Sequence, residues 1–250
     1  MNTLTPFNAL LRNELRLLSR ESAPVAWAVV LPLTAAVVTP VVPAVATPRP
    51  YLDSMSFAQV YQPVLLLFTS SVLALQVLPT IVTQYREFGV LRRLRTTPVA
   101  PWTLLAAVVT MVLGLSVAMG VLLVGGATAA GLPLPTNLPA FIAAFLLAEL
   151  AFLALGAMVC TLAPNPRVGG QVGGFIAACM WFASGMWLPR PLFPPVFGAI
   201  MDATPGGAAA GAMLGSLDGS WPTLMQTGVL VGWALIGFAV AARTFKFEVR

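Results

Sequence analysis

Long apolar runs separated by short polar stretches make up most of this chain. Six runs cover about residues 24–47, 59–83, 102–130, 139–163, 169–188 and 222–242, and only the fourth contains a charged residue, Glu149. The apolar core of a bilayer is about 30 Å thick and requires about 20 apolar residues in a helix. The pattern therefore predicts an all-α integral membrane protein with six transmembrane helices.

Two stretches depart from a simple spanning helix. The first run contains Pro32, Pro40 and Pro43, and because proline removes a backbone donor and kinks a helix, we expect the outer half of this run to be broken. Residues 189–221 are richer in Pro and Gly than the flanking runs. We predict an outer re-entrant hairpin here, between the last two spans, with a hairpin lying along the interface as the alternative.

Basic residues are concentrated on one side of the predicted spans. Eleven of the 13 Lys and Arg residues lie in segments that share the side of the N-terminus, whereas Arg49 and Arg190 lie on the other side. Cytoplasmic segments of membrane proteins are enriched in Lys and Arg. We therefore predict a multi-pass protein of the cell membrane with both termini in the cytoplasm. This topology accounts for the net charge of +5, and no nucleic acid partner is expected.

Residues 1–23 contain a predicted amphipathic helix along the inner membrane surface. Apolar and basic positions recur at helical spacing, although Glu14 falls on the apolar face. Two interpretations remain open: the arginines attract anionic lipid head groups, or they contact a cytoplasmic partner. The apolar face comprises Phe7, Leu10, Leu11, Leu15 and Leu18, and the basic positions are Arg12, Arg16 and Arg20.

Composition excludes several classes of chemistry. Only 8% of the residues are charged, against roughly 25% in soluble proteins. The chain has no histidine, so His-based catalysis and His-ligated zinc sites are excluded. Cys160 and Cys179 lie in different apolar runs and are expected to be packing residues, with no metal site. The single lysine, Lys246, follows Phe245 and cannot complete a nucleotide-binding P-loop, which requires a lysine after glycine. Any nucleotide must therefore bind to another chain.

The cytoplasmic loop between the second and third runs is short, basic and amphipathic. Residues 84–101 carry four arginines and Glu87 beside Phe88, Leu91 and Leu94, and Pro98 ends the helical pattern because proline disfavours a helical residue before it. From composition, an ordinary positive loop and a docking element for a cytoplasmic machine are both possible.

Two motifs resemble those of a known family. Glu87-Phe88-Gly89-Val90-Leu91 and Leu94-Arg95-Thr96-Thr97-Pro98 are similar to the coupling loop of ABC-2 type permeases, the membrane subunits of ATP-binding-cassette exporters. Ser184-Gly185, Pro189, Leu192-Phe193-Pro194-Pro195 and Thr204-Pro205 are similar to the outer hairpin of that family. The resemblance covers nearly the whole chain, which we interpret as one permease domain over residues 1–250, and the chain resembles small drug-export permeases of the daunorubicin-resistance kind.

The resemblance implies an assembly of two permeases, identical or paralogous, with two separate ATPase subunits that bind ATP and Mg²⁺. This chain would itself hold no cofactor. The loop would dock on the ATPase through Arg86, Glu87, Phe88, Gly89, Leu91, Arg92, Arg93, Leu94, Arg95, Thr97 and Pro98.

A line of polar residues follows the second span. Because lipid provides no hydrogen-bond partners, this line is expected to face protein or a wet cavity, and both interhelical hydrogen bonds and a transport path remain open. The resemblance implies that spans two and five line the path. The predicted path residues are Gln62, Thr69, Gln76 and Thr80, with Thr83 on the same line, and Met180, Phe182, Met186 and Trp187 at the outer end of span five.

Span five begins with closely spaced glycines, whose spacing allows close approach of helix backbones. These packing residues are Gly169, Gly170, Gly173 and Gly174.

Glu149 is the only acid near the middle of a span. A charge there costs about 2.5–3.5 kcal/mol on insertion scales, so we expect its carboxyl group to be protonated or paired and to face inward. A proton or cation site and a structural hydrogen bond are both open interpretations.

Together these observations predict the permease subunit of an exporter for small amphipathic or hydrophobic compounds, drug-like or lipid-like, in contact with membrane lipids. The alternatives are a proton-coupled secondary transporter that uses Glu149 and a membrane scaffold without transport activity. No catalytic residue is expected in this chain.

Overall fold

The computed structural model describes residues 4–18, 22–52, 54–90, 93 and 101–244, and the regular secondary structure within them is helical. Strand-like pairing within these residues is limited to one isolated bridge between Pro48 and Ser56. The described helices are α1 Leu4–Leu18, α2 Ser22–Val38, α3 Pro43–Ala46, α4 Phe57–Glu87, α5 Pro101–Ala129, α6 Leu138–Leu162, α7 Pro166–Ser184, α8 Pro195–Asp202, α9 Pro205–Leu217 and α10 Leu224–Thr244.

Four of these helices, α4, α5, α6 and α10, are long and apolar enough to cross a membrane. The multi-pass prediction is thereby confirmed, whereas the count of six spans is not. Helix α2 has 17 residues, and α7, with 19 residues, is not among the four long apolar helices. The predicted break in the first run is confirmed, because α2 ends at Val38 and the short α3 begins at Pro43.

Helix α4 lies at the centre of the bundle. The apolar window of α4 is 83% buried, against 22% for that of α10, and α4 packs against α2, α5, α6, α7 and α9. Ser56 begins α4 with a capping box, in which its hydroxyl accepts from Gln59 N–H and the Gln59 side chain accepts from Ser56 N–H. The polar residues of α4 are therefore presented to neighbouring helices.

A π-helical segment, Leu73–Val77, interrupts α4 near its middle. Such segments widen the helix by one residue per turn and are frequent at functional sites. Two glycines pack directly on it: a Cβ added to Gly156 of α6 would lie 2.0 Å from the Ala74 carbonyl oxygen, and one added to Gly173 of α7 would lie 1.5 Å from that of Leu75. Only glycine permits these two backbone contacts, so the backbones of α6 and α7 both pack closely against the π-helical segment.

The predicted outer hairpin contains α8 and α9. Thr204 caps α9 by accepting from Gly207 N–H at 3.1 Å, and Arg190 donates to the Gly207 carbonyl and pairs with Asp202. Ala208, Ala209 and Ala210 are completely buried, and α9 packs against α6, α7 and α10. A helix therefore occupies the hairpin and forms part of the core.

Candidate functional site

The cytoplasmic end of α4, as the charge distribution orients it, leads into the predicted ATPase-docking loop. The helix ends at Glu87, the Phe88 side chain is 62% exposed, and Gly89 has a left-handed backbone with φ of 66°. Glycine is favoured in this conformation, which commonly ends helices. Arg93 N–H then donates to the Gly89 carbonyl at 3.0 Å. The other predicted docking residues, Leu91, Arg92, Leu94, Arg95, Thr97 and Pro98, lie outside the described residues.

Tyr85 connects this end of α4 to the amphipathic helix α1. The Tyr85 hydroxyl donates to the Glu14 carboxylate, at 2.7 and 2.6 Å from its two oxygens, and Glu14 is 3% exposed. The acidic residue on the apolar face of α1 thus has a hydrogen-bond partner on α4. Sequence analysis missed Tyr85 as a functional residue, and the position of Glu14 was the signal that could have suggested a partner.

Arg86, the neighbour of Tyr85, contacts α6. Its guanidinium Nη1 donates to the Cys160 carbonyl oxygen at 2.5 Å, close to the end of α6 at Leu162. A positive charge at this position also interacts favourably with the negative end of the helix dipole. Arg86 is one of the residues predicted to contact the ATPase, and the structure directs part of its guanidinium into the protein. The base of the loop is consequently attached to both α1 and α6.

The inner part of the polar line on α4 faces the glycine row of α7. A Cβ added to Gly170 would lie 3.2 Å from the Thr80 hydroxyl oxygen, and one added to Gly174 would lie 3.7 Å from the Gln76 side chain. The Thr80 hydroxyl donates to the carbonyl of Gln76 at 2.7 Å. Likewise, Thr83 donates to Pro79 at 2.6 Å and packs beside Gly169.

The outer part of this line makes different contacts. Thr69 donates to the Ala28 carbonyl of α2 at 3.0 Å. Gln62 is 3% exposed, and its amide nitrogen has no hydrogen-bond partner among the described residues. The line predicted as a transport path therefore divides between the contact with α7 and the contact with α2.

The four predicted path residues of the outer α7 region also separate. The Met180 sulfur accepts from Gly206 N–H at 3.3 Å and so faces α9. Phe182 is 46% exposed and packs edge-to-face on Phe193, and Trp187 is 68% exposed. Met186 is partly buried. Of these four residues, Met180 makes the hydrogen bond to α9.

Trp181, which sequence analysis did not select, links α7 to α4. Its indole N–H donates to the Ser71 hydroxyl at 2.7 Å, and its ring lies 4.8 Å from that of Phe68.

Glu149 lies in a polar cluster formed by three helices. Its carboxyl group is next to the hydroxyls of Ser70 on α4 and Ser116 on α5, and the three residues are at most 1% exposed. The two carboxyl oxygens and both hydroxyl oxygens meet no hydrogen-bond geometry with any described residue. Sequence analysis identified the acid but not the two serines, because serine is common in apolar helices.

The described residues contain no group of three or more Cys, Asp or Glu that could hold a metal ion. Cys160 is buried, Cys179 is exposed, and neither forms a disulfide.

Comparison with protein-family models gives one match over most of the chain. Residues 5–217 match the model described as ABC-2 type transporter, a range that runs from α1 to the end of α9 and includes the attached loop and the Glu149 cluster. The search of curated proteins finds no match. Since the matched range covers well over half of the 250 residues, the chain belongs to the ABC-2 type transporter family.

Proposed function

We propose that this chain is the permease subunit of an ATP-driven exporter that moves amphipathic or hydrophobic compounds, drug-like or lipid-like, out of the cytoplasm or the inner leaflet. The family match over residues 5–217 carries the proposal. A separate ATPase subunit binds ATP and Mg²⁺, and a second permease, identical or paralogous, completes a dimer. A relation to the daunorubicin-resistance kind remains part of this proposal.

The working topology has six spans and cytoplasmic termini. Helices α2 and α7 have 17 and 19 residues, and at about 1.5 Å per residue they approach the thickness of the hydrocarbon core, so they complete the six together with α4, α5, α6 and α10. The burial of α9 among α6, α7 and α10 supports a re-entrant hairpin. The distribution of Lys and Arg supports the orientation.

Coupling to the ATPase runs through the base of the loop at residues 84–101. Closure of the ATPase moves this loop, and the bonds from Tyr85 to Glu14 and from Arg86 to the Cys160 carbonyl pass the movement to α1 and α6. Uphill transport requires ATP to bind the inward-facing and outward-facing states with different affinity. The pair Tyr85–Arg86 is therefore the expected point of force transfer.

Co-purification from membranes tests the partner. The exposed Phe88 supplies an apolar contact, so Phe88→Ala should weaken capture of a P-loop-containing ATPase at least tenfold. Phe175→Ala is the matched control, because Phe175 is 72% exposed on α7, away from the loop. Stable isolation of the wild-type chain without any ATPase, under conditions that retain membrane complexes, would contradict the proposal and favour a scaffold.

A proton-driven secondary transporter is the second candidate function, favoured by the buried and unbonded carboxyl group of Glu149. Transport into vesicles separates the two mechanisms. The exporter requires ATP and continues when the proton gradient is collapsed, whereas the secondary transporter works with ATP depleted and loses its pH dependence in Glu149→Gln.

A further inference from the structure

An apolar groove separates the outer halves of α5 and α6. It has a volume of about 410 Å³, and its lining is almost entirely hydrocarbon. Val121 on α5 and Ile142 on α6 form parts of its two walls and are 69% and 48% exposed. The groove is thus open to the outside of the bundle.

Three residues form the inner end of the groove. Leu66 and Phe145 line it, and Gly120 lies between them. A Cβ added to Gly120 would lie 3.5 Å from Leu66 Cδ1 and 3.6 Å from Phe145 Cε1. Both side chains therefore lie over the glycine at this end of the groove.

The Glu149 cluster lies one helical turn beyond this inner end. Residues four apart lie on the same face of a helix, one above the other. Ser70 follows Leu66 by four residues on α4, Ser116 precedes Gly120 by four on α5, and Glu149 follows Phe145 by four on α6. The same three helices that close the groove place the three polar side chains directly behind its end.

This cluster has unused capacity for hydrogen bonding and for charge. Buried polar groups in proteins are nearly always hydrogen-bonded, and buried charges are paired. The carboxyl and hydroxyl oxygens here make no hydrogen bond of normal geometry, although the Ser70 and Ser116 hydroxyls lie beside the carboxyl group. Glu149 is also the only charged residue within residues 57–84, 102–129, 138–162 and 224–242. No other charged side chain of these spans is available to neutralise it.

The chemistry of the cluster matches a primary ammonium group. Such a group carries one positive charge and three N–H donors, and the cluster offers one carboxyl group and two hydroxyl acceptors. The adjoining groove is suited to an alkyl or aromatic body. We infer that the groove between α5 and α6 binds a lipophilic primary amine, whose ammonium group passes Leu66 and Phe145 and bonds to Glu149, Ser70 and Ser116.

This site is separate from the predicted path on α4 and α7, and binding there needs no nucleotide. The inference consequently stands or fails independently of the proposed exporter function.

Photolabelling of the full chain in phosphatidylcholine nanodiscs tests the site. The probe is a dodecyl primary amine with a diazirine in its chain, and its controls are the alcohol and the trimethylammonium compound with the same chain. Mass spectrometry locates the label, and competition with unlabelled dodecylamine measures saturation. We expect saturable labelling by the amine of residues 117–124 and 141–146, at least tenfold stronger than by the alcohol and several-fold stronger than by the trimethylammonium compound.

Variants separate the polar cluster from the groove. Glu149→Gln, which is nearly isosteric, should lower the apparent affinity for the amine at least tenfold and leave labelling by the alcohol unchanged. The double variant Ser70→Ala and Ser116→Ala should weaken only the amine, about threefold, and provides a second test if Glu149→Gln does not fold. Gly120→Leu should block both probes, whereas Gly120→Ala, whose added Cβ makes ordinary contacts, should keep both.

Equal labelling of the groove by the amine and the alcohol would overturn the inference and leave a groove for lipid chains only. Amine labelling that is unaffected by Glu149→Gln, or that falls on the exposed face of α10 around Leu235 in place of the groove, would overturn it as well.

Discussion

Two carboxyl groups are buried in this protein, and their surroundings differ. Glu14 on α1 is 3% exposed and accepts hydrogen bonds from the Tyr85 hydroxyl on α4, whereas Glu149 on α6 is 1% exposed and has no described hydrogen bond. The first carboxylate holds two helices together near the predicted docking loop. The second, near the middle of a span, is held beside hydroxyl groups that do not satisfy it. Burial alone therefore does not distinguish the two acids, but the hydrogen bonding of their carboxyl oxygens does.

The largest expected effect is a loss of stability that disturbs the surroundings of both carboxyl groups, because α4 contributes Tyr85 to one and Ser70 to the other. Gly173→Ala would place a Cβ 1.5 Å from the Leu75 carbonyl oxygen, so α4 and α7 must move apart. We expect a loss of about 3 kcal/mol, at the upper end for overpacking, measured by unfolding in mixed detergent micelles. The control Gly174→Ala, with its Cβ 3.7 Å from Gln76, should cost much less. Equal losses of unfolding free energy in the two variants would contradict the close packing of α7 on the π-helical segment.

Tyr85→Phe tests the paired carboxyl group. The change leaves the buried Glu14 carboxylate without this donor, and hydrogen bonds to charged groups contribute about 1.5–3 kcal/mol. We expect a loss of about 2 kcal/mol in unfolding free energy, together with weaker stimulation of the proposed ATPase partner. Tyr61→Phe, near the other end of α4, is the control. A double-mutant cycle with Glu14→Gln should show a coupling energy, and strict additivity would argue against a direct bond.

Glu149→Met tests the unpaired carboxyl group and should act in the opposite direction. Replacing a buried group that lacks partners by an apolar side chain of similar size removes a desolvation cost of about 1–3 kcal/mol. We expect the apparent melting temperature of the purified chain to rise. Glu14→Met is the matched comparison and should lower it. If both substitutions destabilise the protein equally, the distinction between the two acids is wrong.

The smallest effect separates two adjacent serines on α4. Ser71 accepts from the Trp181 indole N–H at 2.7 Å, so Ser71→Ala should cost about 1 kcal/mol. Ser70 is completely buried and unbonded among the described residues, so Ser70→Ala should be neutral or slightly stabilising. Thermal unfolding of the two variants side by side gives the comparison, and the reverse order would contradict the assignment of partners.

Local patterns predicted much of this protein correctly. The apolar runs indicated an all-helical membrane protein, the prolines after Val38 indicated the break between α2 and α3, and the motifs around Glu87 to Pro98 indicated the ABC-2 family. The long apolar helices α4, α5, α6 and α10 lie close to the predicted runs. The sequence pattern predicts these helices well because a helix hydrogen-bonds its own backbone groups, and lipid offers those groups no other partners.

Other features were not accessible from local patterns. The π-helical segment at Leu73–Val77 has no distinctive residues of its own, and the glycines of α6 and α7 that pack on its carbonyl groups lie far along the chain. The sequence predicted both α2 and α7 as spans, but neither is among the four helices that are long and apolar enough to cross a membrane. Prolines end the helix of the first run early, and glycines lower the hydropathy of the fifth.

Composition and order of residues were sufficient to establish a membrane protein of this family with one acid in the middle of a span. Which carboxyl group is paired, and which lies behind a groove, depended on contacts between residues separated by dozens of positions, such as Tyr85 with Glu14 and Ser70 with Glu149. The sequence specifies how each helix forms. The rotation and depth at which the helices pack decide which polar side chains meet, and no local periodicity encodes those two variables.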